Sequence, residues 1–320
     1  MAARTGRDGS VSIAVAGDWA PIRALEPAFS SGHEAVYGDL LPVLRAADLR
    51  IVNCECALTA APRPVWKSGA VFKARPAHVA GLTAVPFEVA CLANNHVFDY
   101  GLPGFRETLG VLRRSGIRTV GAGMTFAEAS APLSLTVRGR RVTVVNFSEG
   151  EDLTASAGGP GVCGWEIDLL AGRVREAKAR GDFVVAVGHA GLEYVPFPPP
   201  YVVAAFRALS DAGADCVVGH HPHVPQGLET RRGRLIAYSL GNFAFWQPGD
   251  LYYRRTGFCL SLEARGGRLA SYGIHPYRIT ERGLRLLGRC NDVKEEIHAI
   301  RSRRGQHHPL VLQVIAAARA

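Results

Sequence analysis

Val218-Gly219-His220-His221-Pro222-His223-Val224 is the stretch that decides the reading of this chain. It holds three of the eleven histidines, directly after an apolar run over 214–218 that reads as a buried strand. Crowding imidazoles at a strand end is costly, because like charges repel and burial strips their hydration, unless something holds them neutral. A metal ion does that, since neutral imidazole is the commonest metal ligand. A solvated histidine turn is the plain alternative, and the remainder of the sequence argues against it.

The 320 residues suffice for one large α/β domain or two modest ones, and 48% hydrophobic with 20% charged residues is ordinary globular composition. A formal net charge of +9 favours acidic partners such as phosphate esters, polycarboxylates or anionic surfaces. The arginines are scattered, with mild bunching at Arg301, Arg303 and Arg304, and no long basic run carries interleaved aromatics, so a nucleic-acid partner is not expected. The seven cysteines are odd in number and sit mostly in apolar contexts, which points to buried reduced thiols rather than a disulfide framework. Cys54-Glu55-Cys56 is not a structural zinc motif, because no CxxC pair exists to complete one. The start is polar over 1–10, the apolar run over 11–16 is too short for a signal segment, and no window is long enough to span a bilayer. The expectation is a cytoplasmic protein without a membrane anchor.

Short apolar runs ending in polar motifs alternate with helical stretches, the pattern of a layered α/β fold. Strands are expected over 11–16, 49–54, 87–92, 183–187, 214–218 and 235–240, with helices over 34–46, 104–115, 167–180 and 201–212. Gly116 is placed as a helix cap. A hairpin turns at Arg138-Gly139-Arg140-Arg141, a second covers 257–264 and 269–277, and a closing helix covers 292–303. The Gly-rich loop over 149–164 reads as a lid or substrate loop, or equally as plain disorder. With no repeat and no clear linker, the expectation is a tail over 1–10 and a single domain over 11–320. Its motifs fall in 11–245, with a C-terminal hairpin and helix in 246–320.

Five strand ends carry metal-competent residues in order: Asp18, Glu55, Asn95-His96, His189 and His221/His223. In an open α/β sheet, strand ends on one edge converge where ligands bind. Carboxylates from Asp18 and Glu55, the Asn95 amide and several imidazoles make a mixed N/O donor set, suited to divalent zinc, manganese or iron. A carboxylate shared by two ions would give the arrangement that polarises a phosphoryl or acyl oxygen and generates hydroxide near neutral pH. Whether His220 or His221 joins His223 is open. An extended backbone would point His221 and His223 the same way, which favours that pair.

Six segments together resemble the capsule poly-γ-glutamate biosynthesis (CapA-like) family, related to the calcineurin-like metallophosphoesterases. They are Gly17-Asp18, Asn53-Cys54-Glu55, Asn94-Asn95-His96 through Asp99 to Gly101, His189 to Tyr194, Gly213 through the histidine triplet to Gly227, and Tyr238 to Phe243. The resemblance covers roughly 11–245 and implies a four-layer α/β/β/α sandwich, metallophosphoesterase-like, with the metal site at the sheet edge. It also implies Asp18, Glu55, Asn95, His189 and His223 as ligands of one or two divalent ions, and His96 paired with Asp99 as the acid/base group. Two departures stand out. Asp18-Trp19-Ala20 lacks the histidine of the phosphoesterase Asp-x-His, and Glu55 stands where those enzymes use a bridging aspartate. One ion, or two of unequal affinity, is therefore expected.

The functional expectation is a metal-dependent hydrolase or acyl/phosphoryl-transfer enzyme. Its substrate would be a small or polymeric anion, either a phosphoester or a γ-glutamyl or other amide carboxylate, within a cytoplasmic biosynthetic pathway. The alternative is a binding or assembly protein for an anionic polymer such as poly-γ-glutamate. Substrate contacts are expected from Lys67, Lys73, Arg75, Glu193, Tyr194 and Asn242.

Overall fold

The computed structural model describes residues 9–149, 154–156, 158–249 and 252–287. The helix expected over 292–303 and the histidines at 307 and 308 lie outside these residues.

Two mixed sheets carry the architecture. The strands used below are β1 Ser10–Trp19, β2 Leu49–Cys54, β3 Val89–Cys91, β4 Arg118–Val120, β5 Leu133–Val137, β6 Arg140–Ser148, β7 Phe183–His189, β8 Cys216–His220, β9 Leu228–Arg231, β10 Arg234–Ala237, β11 Thr256–Arg265, β12 Arg268–Thr280 and β13 Gly283–Leu286. The first sheet runs β13-β12-β11-β1-β2-β3-β4 and the second β9-β10-β8-β7-β6-β5. Within them β1, β2, β3 and β4 are parallel, as are β6, β7, β8 and β10, so the carboxyl ends of each parallel set share an edge.

Alternation along the strands builds the four layers, because successive side chains of a strand point to opposite faces. Ile13 and Val15 of β1 and Val185 and Val187 of β7 enter one buried cluster between the sheets, with Leu49, Ile51, Val142, Val144 and Val218. Their neighbours face outward. Ala14, Ala16, Val52 and Ala90 pack beneath Phe29, Tyr37, Leu44, Phe105 and Leu112. Val184, Ala186 and Val217 pack beneath Leu170, Val174, Phe206 and Leu209. The covering helices are α1 Gly101–Arg114, α2 Ile167–Ala179 and α3 Pro200–Ala212. In α1 the buried Phe105, Thr108, Val111 and Leu112 fall at helical spacing on one face. The result is the expected α/β/β/α sandwich.

Several local expectations need correction. Strand β1 runs on to Trp19, with a register shift against β2 between Ala16 and Asp18. The helix expected over 34–46 is broken: a 3-10 segment His33–Leu40 contains Gly38 at φ 46° and ψ −131°, and only Leu41–Ala46 is α-helical. The left-handed backbone at Gly38 stops helix propagation there. The late hairpin gains a third strand, β13, and joins the first sheet by pairing β11 antiparallel to β1. Part of the Gly-rich loop is also regular, Gly161–Val162 pairing with Ala122–Gly123. Among the described residues no helix is long and apolar enough to cross a membrane.

Candidate functional site

The parallel strands deliver their terminal residues to one place. Asp18 pairs in register with Asn53, and His189 with His220. Tight backbone crossings allow this convergence. A Cβ on Gly17 would lie 2.1 Å from the Gly241 carbonyl oxygen, and one on Gly219 would lie 1.9 Å from that of Tyr238. Only glycine fits before Asp18 and before His220, so the sequence at these two positions is set by backbone approach.

Asp18, Glu55, His189, His220, His221 and His223 are all buried. Candidate ligand atoms of Glu55, His189 and His221 lie within 4.8 Å of one another, and so do those of Asp18, Glu55 and His223. Glu55 belongs to both groups. Its Oε1 is 3.4 Å from His189 Nε2 and 3.6 Å from His223 Nε2. Asp18 Oδ1 is 2.8 Å from His220 Nδ1, and Asp18 Oδ2 is 3.2 Å from His223 Nδ1. Asn95 Oδ1 stands 3.0 Å from His189 Nε2.

All three histidines of the triplet therefore reach the cluster, although not by the extended geometry expected for His221 and His223. Both have left-handed backbones, at φ 93° and 57°. The chain turns through Pro222 instead of running straight, and the turn sends the two rings into different groups, with centroids 6.1 Å apart. Non-glycine residues held in this region carry strain of about 1–3 kcal/mol each, a cost that concentrates at functional sites.

The electrostatics are unusual for a buried cluster. Both carboxylate oxygens of Glu55 are buried without a hydrogen bond, as is Nε2 of His220. Burial, reinforced by the negative charges of Asp18 and Glu193, pushes the Glu55 carboxyl well above its ordinary range. Burial also opposes ionisation of Asp18, but His220 and His223 outweigh it and hold that carboxyl well below its usual value. Burial, with His221 beside it, keeps His189 neutral to well below the ordinary imidazole value. A divalent cation fits this donor set. It would satisfy the orphaned oxygens of Glu55 and let that carboxylate ionise, which burial alone resists.

Beside the cluster, His96 Nδ1 is 2.7 Å from Asp99 Oδ2, which directs the other ring nitrogen away with its lone pair free. Asp99 is held in turn by Lys67 Nζ at 3.0 Å and by the Phe72 backbone N–H. Burial lowers the His96 pKa, outweighing the opposite pull of Asp99. Phe72 covers the ring at a centroid distance of 4.1 Å.

The residues expected to touch substrate divide. Lys67 is engaged elsewhere: its ammonium donates to the Asn95 carbonyl oxygen at 2.7 Å and to Asp99, so it braces the His96–Asp99 pair. Lys73 Nζ donates to the Ala61 carbonyl oxygen and lies over Tyr100, while Arg75 contacts Ser30 and Glu26. Neither joins the cluster. Tyr194 does border it, its ring 5.9 Å from that of His223, and Glu193 is exposed beside it. Asn242 is a support, its Oδ1 3.0 Å from His223 Nδ1 and its Nδ2 donating to the His223 carbonyl oxygen.

Two further residues carry the geometry without having been singled out for it. Asn53 Nδ2 donates to Asp18 Oδ1 at 2.8 Å and lies 3.2 Å from His189 Nδ1, linking the two sheets. Asn94 Oδ1 accepts the backbone N–H groups of His96 and Val97, and its Nδ2 donates to the Cys54 carbonyl oxygen. Their position beside Glu55 and Asn95 in the polar motifs was the available signal.

Comparison with known proteins bears on the family and the fold. The chain is 32% identical over 249 residues to the PGA biosynthesis protein CapA of Bacillus subtilis (strain 168), covering 76% of this chain and 66% of that protein. It is 37% identical over 167 residues to the capsule biosynthesis protein CapA of Bacillus anthracis, covering 50% of this chain and 41% of that one. The matches thus span about two thirds of the first relative and under half of the second. A crystal structure of a hypothetical protein from Thermus thermophilus shares the fold, with a TM-score of 0.53 at 16% identity over 84% of this chain and 100% of that one. Residues 12–247 match the model of a family within the metallophosphoesterase superfamily, and on that match this chain belongs to the bacterial capsule synthesis protein PGA_cap family.

Proposed function

We propose that this protein is a metal-dependent hydrolase or acyl/phosphoryl-transfer enzyme acting on an anionic substrate. Glu55 carries the reading: a fully buried carboxylate with no hydrogen bond, shared by two groups of potential ligands. Folded proteins rarely leave such a group without a partner, and a divalent cation is the partner its surroundings fit. Asp18, Glu55, Asn95, His189, His221 and His223 would hold one or two ions of the zinc, manganese or iron type. An ion bound there supplies Lewis-acid polarisation of a phosphoryl or acyl oxygen and eases deprotonation of water.

The chain's own residues supply the rest. Asn53 and Asn242 orient His189 and His223. Asp99 holds the proton of His96 on Nδ1, so Nε2 is free to take or give a proton at the reacting group. Lys67 holds Asp99 in place. His220, set against Asp18, fixes the carboxylate that faces His223. The net charge of +9 agrees with an anionic substrate, and the family's name directs attention to γ-glutamyl amides beside phosphoesters. The six described cysteines, buried and unpaired, support a reducing, cytoplasmic setting.

A binding or assembly role for an anionic polymer is the competing reading, favoured by the absence of a histidine two residues after Asp18. Replacing His96 with Asn separates the two. Phosphoesters and γ-glutamyl anilides are offered to the metal-loaded wild type and variant. An enzyme loses turnover while keeping its metal. Wild-type protein that binds such compounds but turns none over, with binding untouched in the variant, is a binder.

A further inference from the structure

The anionic substrate of the preceding reading needs a counter-charge, and the lysines and arginine expected to provide it are engaged elsewhere. Resting on that reading, we propose that Arg254 and Arg23, together with Tyr194, form the anion-recognition subsite of this centre. They would hold a carboxylate or phosphate group of the substrate away from the bond that reacts.

Each guanidinium lies one aromatic ring from the cluster. Arg254 Cζ is 3.8 Å from the centre of the Tyr194 ring, which is itself 5.9 Å from that of His223. The Arg254 backbone is fixed to the same place, since its carbonyl oxygen accepts from Asn242 Nδ2 at 3.2 Å while Asn242 Oδ1 meets His223. Arg23 Cζ lies 5.2 Å from the centre of Phe72 and 5.7 Å from that of Phe245. Phe72 covers His96, and Phe245 meets His223 edge-on at 5.3 Å.

Among the described residues no carboxylate lies within ion-pair distance of Arg254 or Arg23, whereas Arg207 pairs with Glu229 and Arg231 with Asp211. Among the described residues the acceptors of Arg23 are neutral, Gln247 Oε1 and the Trp246 carbonyl oxygen. Arg254 Nε is buried and makes no hydrogen bond. A sheltered guanidinium with an idle donor is costly unless something arrives to use it. Stacking on an aromatic face leaves the guanidinium edge available, and that edge is the fork that grips carboxylate and phosphate oxygens in pairs. Arg23 and Tyr194 also have left-handed backbones, at φ 58° and 61°. Strain at two of the three residues of one small assembly is the pattern of a functional position.

The test is calorimetric titration of glutarate, and separately of inorganic phosphate, into the zinc-loaded full chain. Wild type is compared with Arg254→Gln, Arg254→Lys, Arg23→Gln and the control Arg75→Gln, with zinc content measured on every sample. Arg254→Gln and Arg23→Gln should each weaken the preferred anion by about tenfold, and Arg254→Lys, which keeps the charge but not the fork, by less. Arg75→Gln should match wild type. Preference for glutarate assigns the subsite to a carboxylate, and preference for phosphate to a phosphate group. If neither anion binds wild type, if both Gln variants bind as wild type does, or if Arg75→Gln weakens binding equally, the proposal is wrong. Should Arg254→Gln not fold, Arg23→Gln and Arg254→Lys decide in the same terms. Wild type that takes up no zinc sinks the metal centre, while arginine-dependent affinity still decides the subsite.

Discussion

Glu55→Gln is the perturbation that exposes the tension in this site. In the metal-free chain the Glu55 carboxyl is buried, makes no hydrogen bond and titrates well above the ordinary 4.5. A carboxyl raised on folding contributes stability that is complete below its unfolded value and is lost as pH rises through its folded value. Above that point the protein must either keep a proton on Glu55 or bury a bare charge. Glutamine has nearly the same shape and no charge, so the variant escapes this loss. An unsatisfied buried polar group costs about 1–3 kcal/mol, and more when charged. Taking about 1–3 kcal/mol as the charge burial that glutamine avoids, at about 2–4 °C per kcal/mol, metal-free Glu55→Gln should melt about 2–12 °C above metal-free wild type at pH 8. Near pH 4.5 the difference should vanish. Zinc reverses the order, because an ion at about one hundred times its Kd stabilises wild type by about 2.7 kcal/mol and the variant lacks the shared ligand. The assay is thermal unfolding by circular dichroism from pH 4.5 to 8.5, with chelator and with zinc. A variant less stable than wild type at pH 8 without metal, yet showing the full response to zinc, would refute this account of Glu55.

Other consequences follow from the same geometry. Gly219→Ala puts a methyl group 1.9 Å from the Tyr238 carbonyl oxygen and 2.9 Å from the Phe206 ring. It should destabilise the fold by about 3 kcal/mol or more, read by urea unfolding, and a loss under about 0.5 kcal/mol would contradict the packing described. Lys67→Met leaves the buried Asp99 without its ion-pair partner, so stability should fall by about 3 kcal/mol or more, whereas a Lys67 that merely attracted substrate would alter KM alone. Because the His96 pKa lies below 6.5, the neutral ring persists through neutral pH. If His96 acts as a base, kcat/KM should stay level down to pH 6.5 and decline only below it, while a decline beginning near pH 7.5 would exclude that role.

Much of this was legible in the sequence where side-chain periodicity and backbone limits act locally. Strands β2 and β7 and helices α2 and α3 follow from apolar spacing, and Gly116, at φ 76°, closes α1 as a cap. What escaped was set by tertiary contact. Strand β9, with Glu229, Thr230 and Arg231, is too polar to read as a strand and exists because it pairs at the sheet edge with β10. Gly38 breaks a helix that propensity favoured. The members of the metal-competent set were visible as strand-end residues, but the turn at Pro222 that brings His220, His221 and His223 together was not. The placement of the cations was hidden for a similar reason. Lys67, Lys73 and Arg75 follow Glu55 in sequence, yet Arg23 and Arg254, from opposite ends of the chain, are the ones that stack beside the histidines. Nothing in linear order announces that meeting.

The central claim is that Glu55 and the histidines around it hold a metal ion. Metal content by inductively coupled plasma mass spectrometry, on wild type and on a His189→Ala/His223→Ala variant, tests it most directly. The account predicts about one to two zinc, manganese or iron ions per wild-type chain, lost in a variant that still folds. Wild-type protein that stays empty after dialysis against each of these ions would contradict it.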